Sequence, residues 1–230
     1  MKLTLWLASA VIISSGIFSV SSYAGNDIDI SGFDTAAPRN QSAAPIHNQD
    51  TAKKNINSLV NDENDNIRGN KNGQITLVEF MDFKCSYCKH MEPIVKSLIN
   101  NNPNLRVVIK NYPVKGDISV YAAKAALAAK KQGKDIPLHD KLIEVSDLTQ
   151  DQIMTIAKSL GINTAQLKTD MASSTINQQI QKNVSLAKKL QIFGTPAFFI
   201  VKTDGNGPID FVMGAVDESN IQGSINKMMQ

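Results

Sequence analysis

The chain contains two cysteines, Cys85 and Cys88, which are separated by two residues in the stretch CSYCKH. Thiols at this spacing can form a structural disulfide, bind a metal ion, or exchange disulfides with other proteins. A disulfide that closes so short a loop stabilises a fold by only about 2 kcal/mol. A chain of 230 residues can bury a core without it, so a purely structural role is disfavoured.

Metal binding by the pair is limited by the supply of other ligands. A closed zinc site needs four ligands, and the chain adds only three histidines to the two thiols. His90 lies close by, whereas His47 lies in a polar N-terminal stretch and His139 in a helical region. Two thiolates suit copper(I), so copper binding stays open as an alternative. We expect no resident metal and no cofactor.

The segments on either side of the pair favour redox chemistry. The run QITLVEFMDF before Cys85 is apolar on both faces, as a strand buried in a parallel sheet is. Apolar residues then recur at helical spacing, namely Met91, Ile94, Val95 and Leu98. Cys85 should therefore lie at a helix N-terminus, where free backbone N–H groups and the helix dipole stabilise a thiolate. We expect Cys85 to be the exposed nucleophile and Cys88, one turn deeper, to be the resolving thiol.

Two other positions carry chemical interest. Thr195-Pro196 directly precedes the apolar run AFFI, where proline cannot donate to a strand ladder, so a cis bond in a tight turn is predicted. Glu79 interrupts the buried strand, where an unpaired carboxylate is costly. We expect Glu79 to have a raised pKa that suits it for exchanging a proton with Cys88. The alternative is that Glu79 faces solvent at a strand end.

The N-terminal third of the chain has a different composition. A positive Met1-Lys2, an apolar stretch over Leu3–Val20 and a small-residue site ending in Ala24 predict a signal peptide over residues 1–24. An uncleaved membrane anchor is the alternative. Residues 25–66 are polar with scattered prolines and predict a flexible arm, with one short helix near residues 51–60.

The rest of the sequence has the order β-α-β, a block of helices, then β-β-α. Helical periodicity continues from Ser119 to Leu190 with few interruptions. This order predicts an α/β fold in which a strand-rich frame, 67–114 and 193–230, is interrupted by a helical insertion at 115–192. A formal net charge of +3 and an aromatic content of 6% argue against nucleic acid as a partner.

From about residue 61 to the C-terminus, the chain resembles the thioredoxin superfamily, and within it the DsbA-like periplasmic thiol:disulfide oxidoreductases. The resemblance rests on GNKNGQITLVEFMDFKCSYCKHMEP, on the strand end YPV, on the helical insertion, and on GTPAFFI. It implies a thioredoxin fold with an inserted all-helical domain and a location in the periplasm.

The resemblance also implies a role for each site residue. Cys85 and Cys88 would form the catalytic disulfide, Cys85 carrying the mixed disulfide and Cys88 resolving it. Thr195 and a cis Pro196 would face the pair and bind substrate backbone. Glu79, six residues before Cys85, matches the buried catalytic acid of this family.

Two departures from the family pattern bear on the direction of the reaction. Ser86-Tyr87 stands where strongly oxidising members carry Pro-His, and a tyrosine cannot stabilise the thiolate by charge. Tyr87 and Thr195 are more typical of the isomerase branch, whose members associate through an N-terminal domain. The arm at 25–66 is short and polar for such a domain, so we expect a monomer, with assembly through the arm left open.

The predicted function is the introduction of disulfides into exported proteins, followed by reoxidation by a membrane partner of the DsbB type. One alternative is an isomerase or reductase that a DsbD-type membrane donor keeps reduced. The alternative from another class is a copper-binding or chaperone-like periplasmic protein. Lys89 and His90, directly after the pair, are predicted to lie on a solvated helix face.

Overall fold

A mixed sheet of five strands forms the centre of the computed structural model, which describes residues 47–230. Two helices and an edge strand come first: α1 (His47–Lys54), α2 (Ile56–Val60) and β1 (Asn66–Gly69). A β-α-β unit follows, formed by β2 (Ile75–Met81), α3 (Ser86–Asn101) and β3 (Leu105–Asn111).

Helices fill the next part of the chain before the strands resume. They are α4 (Asp117–Ala129), α5 (Asp135–Glu144), α6 (Gln150–Ser159), α7 (Thr164–Met171) and α8 (Ser174–Lys189), with a 3₁₀ turn at Lys130–Gln132. The chain then returns to the sheet as β4 (Ala197–Lys202) and β5 (Ile209–Met213) and closes with α9 (Glu218–Met228). The predicted α/β fold with a block of inserted helices is confirmed.

The strand order is β1-β3-β2-β4-β5, so the strand that leads to the cysteines lies in the middle of the sheet. β2 runs parallel to β3 and antiparallel to β4, and both edge strands are antiparallel to their neighbours. Every residue of β2 is buried, which explains why its sequence lacks alternation. The C-terminal end of β2 is therefore held rigidly on both sides.

Two apolar clusters cover the two faces of the sheet. The smaller one packs α3 and α9 against β2, β3 and β4 through residues such as Val95, Ile225 and Phe198. The larger one joins the opposite face to the inserted helices through residues such as Phe80 and Ile180. Helix α3 thus packs on the sheet while its first residues reach the end of β2.

Residues 47–66 are not a flexible arm, which corrects the prediction for this part of the chain. They carry α1, α2 and the start of β1, and Leu59 and Val60 are buried in the larger cluster. The short helix predicted near 51–60 is present, although it is interrupted at Asn55, which separates α1 from α2. Residues 1–46, which include the predicted signal peptide and most of the arm, lie outside the described residues.

Strand β1 is an element that the sequence does not predict. Its inward-facing residues are Asn66 and Arg68, so it has no apolar alternation. Asn66 is held by the carbonyl of Ala126 and the carboxylate of Asp135, at 3.3 and 3.0 Å. Because these partners are distant in sequence, a polar segment becomes a sheet edge without any local pattern. Among the described helices, none combines the length and apolarity needed to cross a bilayer.

Candidate active site

Cys85 is the N-cap residue of α3, as the sequence predicts. Its backbone is extended, with φ −76° and ψ 117°. Its N–H donates to the carbonyl of Asp82 at 3.0 Å, and its own carbonyl accepts from the N–H of Lys89 at 3.1 Å. The tight turn after β2 therefore delivers the thiol to the positive end of the helix dipole.

The environment of the Cys85 thiol differs from the prediction of an exposed nucleophile. The residue is only 3% exposed, because its Sγ lies 3.1 Å from the carbonyl oxygen of Thr195, to which it donates. Two aromatic side chains close in sequence to Cys85 and Thr195 are exposed: Tyr87 by 63% and Phe193 by 66%. The reactive sulfur is thus recessed, whereas these two aromatic side chains meet solvent.

The thiolate form of Cys85 is stabilised by several donors. The Cys88 thiol donates to it, the Thr195 hydroxyl and the N–H groups of Cys88 and Tyr87 add to this, and together they outweigh burial and lower the pKa of Cys85 to about 6. The buried Thr195 Oγ1 makes no hydrogen bond of ordinary geometry among the described residues, so its hydroxyl is available to the Cys85 sulfur. Cys85 is consequently ionised to a large extent at neutral pH.

Cys88 has the opposite acid–base character. It is 1% exposed, and burial raises its pKa well above the ordinary value, helped by its hydrogen bond to Cys85 and by the charges of Cys85 and Glu79. Both cysteines are free thiols in the structure. The pair therefore combines one thiolate and one protonated thiol, as thiol–disulfide exchange requires.

Glu79 lies in the middle of β2, paired with Ile109 of β3 and Phe198 of β4. It is buried, so the alternative that it faces solvent is wrong. Burial raises its pKa to about 8, with a further contribution from the charge of Glu92. Its Oε2 has no hydrogen-bond partner among the described residues. The carboxyl is thus able to hold or release a proton near neutral pH beside Cys88.

The Thr195-Pro196 peptide bond is cis, as predicted. The Thr195 carbonyl faces Cys85, and the Pro196 carbonyl accepts from the N–H of Gly214 at 2.8 Å. The turn before β4 is therefore brought against the N-terminus of α3. Binding of substrate backbone by Thr195 and Pro196 stays a prediction.

Asp82 is a site residue that the sequence does not reveal. Its Oδ1 accepts from the N–H of Lys84 and the hydroxyl of Ser119, both at 2.7 Å. Its Oδ2 accepts from the N–H groups of Val114 and Lys115 at 2.7 and 2.9 Å. One buried carboxylate thus joins the active-site turn, the loop after β3 and the first turn of α4.

A charged cluster lies one turn beyond Cys88. Glu92 accepts two hydrogen bonds from Arg68, at 3.0 and 2.7 Å, and its Oε2 lies 3.6 Å from Nε2 of the buried His139. Despite burial, the neighbouring His139 and the charge of Arg68 lower the pKa of Glu92 to about 2. Glu92, His139 and Asp140 bring ligating atoms within 4.8 Å of one another. Arg68 already binds both acids, lying 3.4 Å from Asp140, so a second cation there is disfavoured.

Lys89 does not lie on a solvated face, in contrast to the prediction, whereas His90 is exposed as predicted. The Lys89 ammonium donates to the carbonyl of Val145, and to the carbonyl of Ser146 at 3.2 Å. Both carbonyls follow the end of α5. The first turn of the active-site helix is thereby connected to the helical insertion.

Comparison with known proteins agrees with this arrangement. The model of the family described as DSBA-like thioredoxin domain matches residues 76–226. A thioredoxin-like oxidoreductase from Silicibacter pomeroyi is 35% identical with a TM-score of 0.69, the match covering 74% of this chain and 95% of that one. A periplasmic thioredoxin-like protein from Salmonella enterica serovar Typhimurium is 28% identical with a TM-score of 0.67, covering 76% and 95%.

Curated relatives include proteins of two kinds. A probable disulfide bond formation protein D from Bacillus cereus is 26% identical over 164 residues, which are 65% of this chain and 76% of that protein. The Na(+)/H(+) antiporter NhaA 3 of Salinispora tropica is 31% identical over 153 residues, 65% of this chain. The chain spans only 23% of that antiporter's length, so the similarity concerns one part of a larger protein.

Proposed function

Because the chain belongs to the DSBA-like thioredoxin domain family, a family of thiol:disulfide oxidoreductases, we propose that it introduces disulfides into exported proteins. The observation that carries the proposal is the contrast between the two thiols. The Cys85 pKa of about 6 stabilises the reduced pair as a thiolate at neutral pH, while Cys88, whose pKa lies well above the ordinary value, stays protonated and donates to that thiolate. A stabilised reduced pair makes the corresponding disulfide a stronger oxidant.

The proposed reaction begins with the Cys85–Cys88 disulfide. A client thiolate attacks Sγ of Cys85, the bond between the two cysteines breaks, and Cys88 leaves as a thiolate that takes up a proton. A second client thiolate attacks the client sulfur of the mixed disulfide, and Cys85 leaves as a thiolate. Two electrons pass from the client to the protein, and a membrane partner of the DsbB type removes them.

Other residues of the site have supporting roles in this proposal. Glu79, whose charge raises the pKa of Cys88, supplies the proton that the leaving Cys88 takes up. Thr195 stabilises the leaving Cys85 thiolate through its hydroxyl. The exposed Tyr87 and Phe193 offer apolar surface to an unfolded client beside the recessed sulfur.

We place this activity in the periplasm, after removal of a signal peptide over residues 1–24. The similarity to the periplasmic protein from Salmonella supports the location. The clients would be exported proteins that contain cysteines, and nucleic acid would have no part. We propose that the frame, 67–114 and 193–230, carries the chemistry, that the insertion at 115–192 covers one side, and that the protein acts as a monomer.

A second candidate within the family is an isomerase or reductase kept reduced by a DsbD-type donor. The observation that favours it is Tyr87 between the cysteines, since the uncharged ring adds no positive charge to the thiolate. Thr195 before the cis proline favours it as well. The two candidates differ in the reduction potential that they need.

The decisive experiment is to equilibrate the full chain in glutathione buffers and to measure the oxidised fraction by alkylation gel shift. A reduction potential near −120 mV, within roughly 20 mV, is expected for a dedicated oxidase. A value of about −200 mV or lower would instead support the isomerase or reductase. Cys88→Ser serves as the control, because it should trap mixed disulfides at Cys85. A pair that never exchanges with glutathione but binds copper(I) would overturn both candidates.

A further inference from the structure

Lys89 connects two parts of the molecule that meet beside the reactive thiol. Its backbone N–H donates to the carbonyl of Cys85, which fixes it one helical turn beyond the sulfur. Its ammonium reaches the carbonyls of Val145 and Ser146 in the loop between α5 and α6. Val145 is the C-cap of α5, so a cation is bound where the helix dipole is negative.

The charges around Lys89 come from both parts of the molecule. Asp147 of the same loop and Asp82 of the active-site turn attract the ammonium, as does the Cys85 thiolate, whereas Lys84 repels it. Partial burial lowers the pKa of Lys89, and the three negative groups oppose that shift. Because the electrostatic interaction between two charges is mutual, the Lys89 ammonium stabilises the Cys85 thiolate as much as the thiolate stabilises the ammonium.

We propose that Lys89 is a positioning residue for the exchange reaction: it anchors the α5–α6 loop to the active-site helix and holds a cation where it stabilises the Cys85 thiolate. The inference rests on the proposed function and deepens it. Two carbonyls hold the ammonium in place, so its charge acts from an ordered position. A lysine free in solvent would be screened and would act more weakly.

This arrangement has a consequence for both redox states. In the reduced state the Lys89 ammonium interacts electrostatically with a thiolate at Cys85, and in the oxidised state the same residue is part of a neutral disulfide. Its charge therefore stabilises only the reduced pair and raises the oxidising power of the disulfide. The hydrogen bonds to the carbonyls of Val145 and Ser146 do not involve either sulfur, so under this proposal the loop stays anchored throughout the cycle.

The test compares the full-length wild type with Lys89→Met, which keeps the length of the stem and removes its charge and donors. The rate of Cys85 alkylation by iodoacetamide is measured from pH 4 to pH 8 on the reduced protein (about the range over which the thiolate forms). Lys89→Met should lower the rate about two- to fivefold below the midpoint. The glutathione equilibrium should shift toward the disulfide form by the same factor, and fivefold corresponds to about 20 mV.

Three controls separate the parts of the proposal. Lys89→Arg keeps the positive charge, so its Cys85 alkylation rate should be close to that of the wild type. Lys84→Gln removes an exposed lysine beside Cys85 and should change the rate by less than half as much as Lys89→Met. Amide exchange at residues 145–147 should be faster in Lys89→Met than in wild type. Lys89→Leu, which also lacks the charge and the donors, replaces the methionine variant if that variant is poorly folded.

Failure of the Lys89 proposal can be distinguished from failure of the proposed function. An unchanged alkylation profile in Lys89→Met, or an equal shift in Lys84→Gln, would overturn the role of an anchored charge. Unchanged amide exchange at residues 145–147 would overturn the anchoring. A wild-type pair that fails to exchange with glutathione would instead reject the proposed function, whatever the lysine variants do.

Discussion

Two buried acids lie three residues apart, Glu79 within β2 and Asp82 just beyond its end, and their surroundings are opposite. Asp82 accepts four hydrogen bonds from three segments of the chain. Glu79 keeps one carboxylate oxygen without a partner among the described residues. A carboxylate whose lone pairs are all used holds structure in place, whereas one with a vacant lone pair remains able to take up a proton.

The same contrast divides the whole site into two sides. We call Asp82 with its partners Val114, Lys115 and Ser119 the anchoring side. We call Cys85, Cys88, Glu79 and Thr195 the reacting side. Thr195 Oγ1, like Glu79 Oε2, is buried without a hydrogen-bond partner of ordinary geometry in the part of the chain that the structure describes. Unfilled hydrogen-bonding capacity is thus present where charge must appear and disappear during exchange.

The largest effect should come from the anchoring side. Asp82→Ala would leave the donors of Val114, Lys115 and Ser119 without an acceptor, and we expect it to lower the free energy of unfolding by about 3–5 kcal/mol. Urea denaturation followed by circular dichroism measures this. Glu63→Ala, at an exposed acid, is the matched control and should stay within about 0.5 kcal/mol of wild type. A loss below about 1 kcal/mol for Asp82→Ala would mean that the carboxylate does not anchor the site.

Glu79→Gln should behave differently, because its effect on the free energy of unfolding depends on pH. The folded pKa of Glu79 is about 8 against an ordinary value of 4.5, so the folded state binds more protons between these values. The contribution of Glu79 to stability is full below pH 4.5 and is lost as the pH rises through 8. The glutamine variant should therefore gain about 1–3 kcal/mol relative to wild type between pH 5 and pH 8. A stability difference that is constant with pH would contradict the assignment of Glu79 to the reacting side.

The smallest effect should come from Thr195→Val, which removes one hydroxyl and keeps the shape of the side chain. Without that donor the pKa of Cys85 should rise, and the thiolate fraction below pH 6 should fall about three- to tenfold. The ultraviolet absorbance of the thiolate follows the titration. Thr195→Ser keeps the hydroxyl and should titrate like wild type; if it titrates like the valine variant, the hydroxyl is not the cause.

The reacting side could be predicted from the sequence because each of its residues breaks a local pattern. Glu79 is a charge in a run of buried apolar residues, and Pro196 stands at the start of a buried strand. The two cysteines stand between a strand pattern and a helix pattern. In each case the residue and its own strand or helix are adjacent in the chain, so periodicity places each residue on its element, whereas the meeting of Thr195 with Cys85 is implied only by the family resemblance.

The anchoring side could not be predicted, because its contacts join distant segments. The Asp82 carboxylate reaches partners as far as 37 residues later in the chain. Lys89 finds its carbonyls 56 and 57 residues later, so the polar face of α3 alone suggests only solvent. Residues 47–66 are held by distant segments in the same way, since α1 contacts β5 and α2 contacts β2. Their polar composition therefore indicates one short helix but not its packing on the sheet.

The hydrogen bond from the Cys88 thiol to the Cys85 thiolate also bears on oxidative damage. A low-pKa thiolate is the form that peroxides attack, and the first product is a sulfenic acid. A thiol in contact with a sulfenic acid condenses with it, which releases water and forms a disulfide. Because Cys88 already contacts Cys85, one oxidation event yields the oxidised pair itself. The geometry that makes Cys85 reactive thus diverts accidental oxidation away from the irreversible sulfinic acid and back into the working cycle.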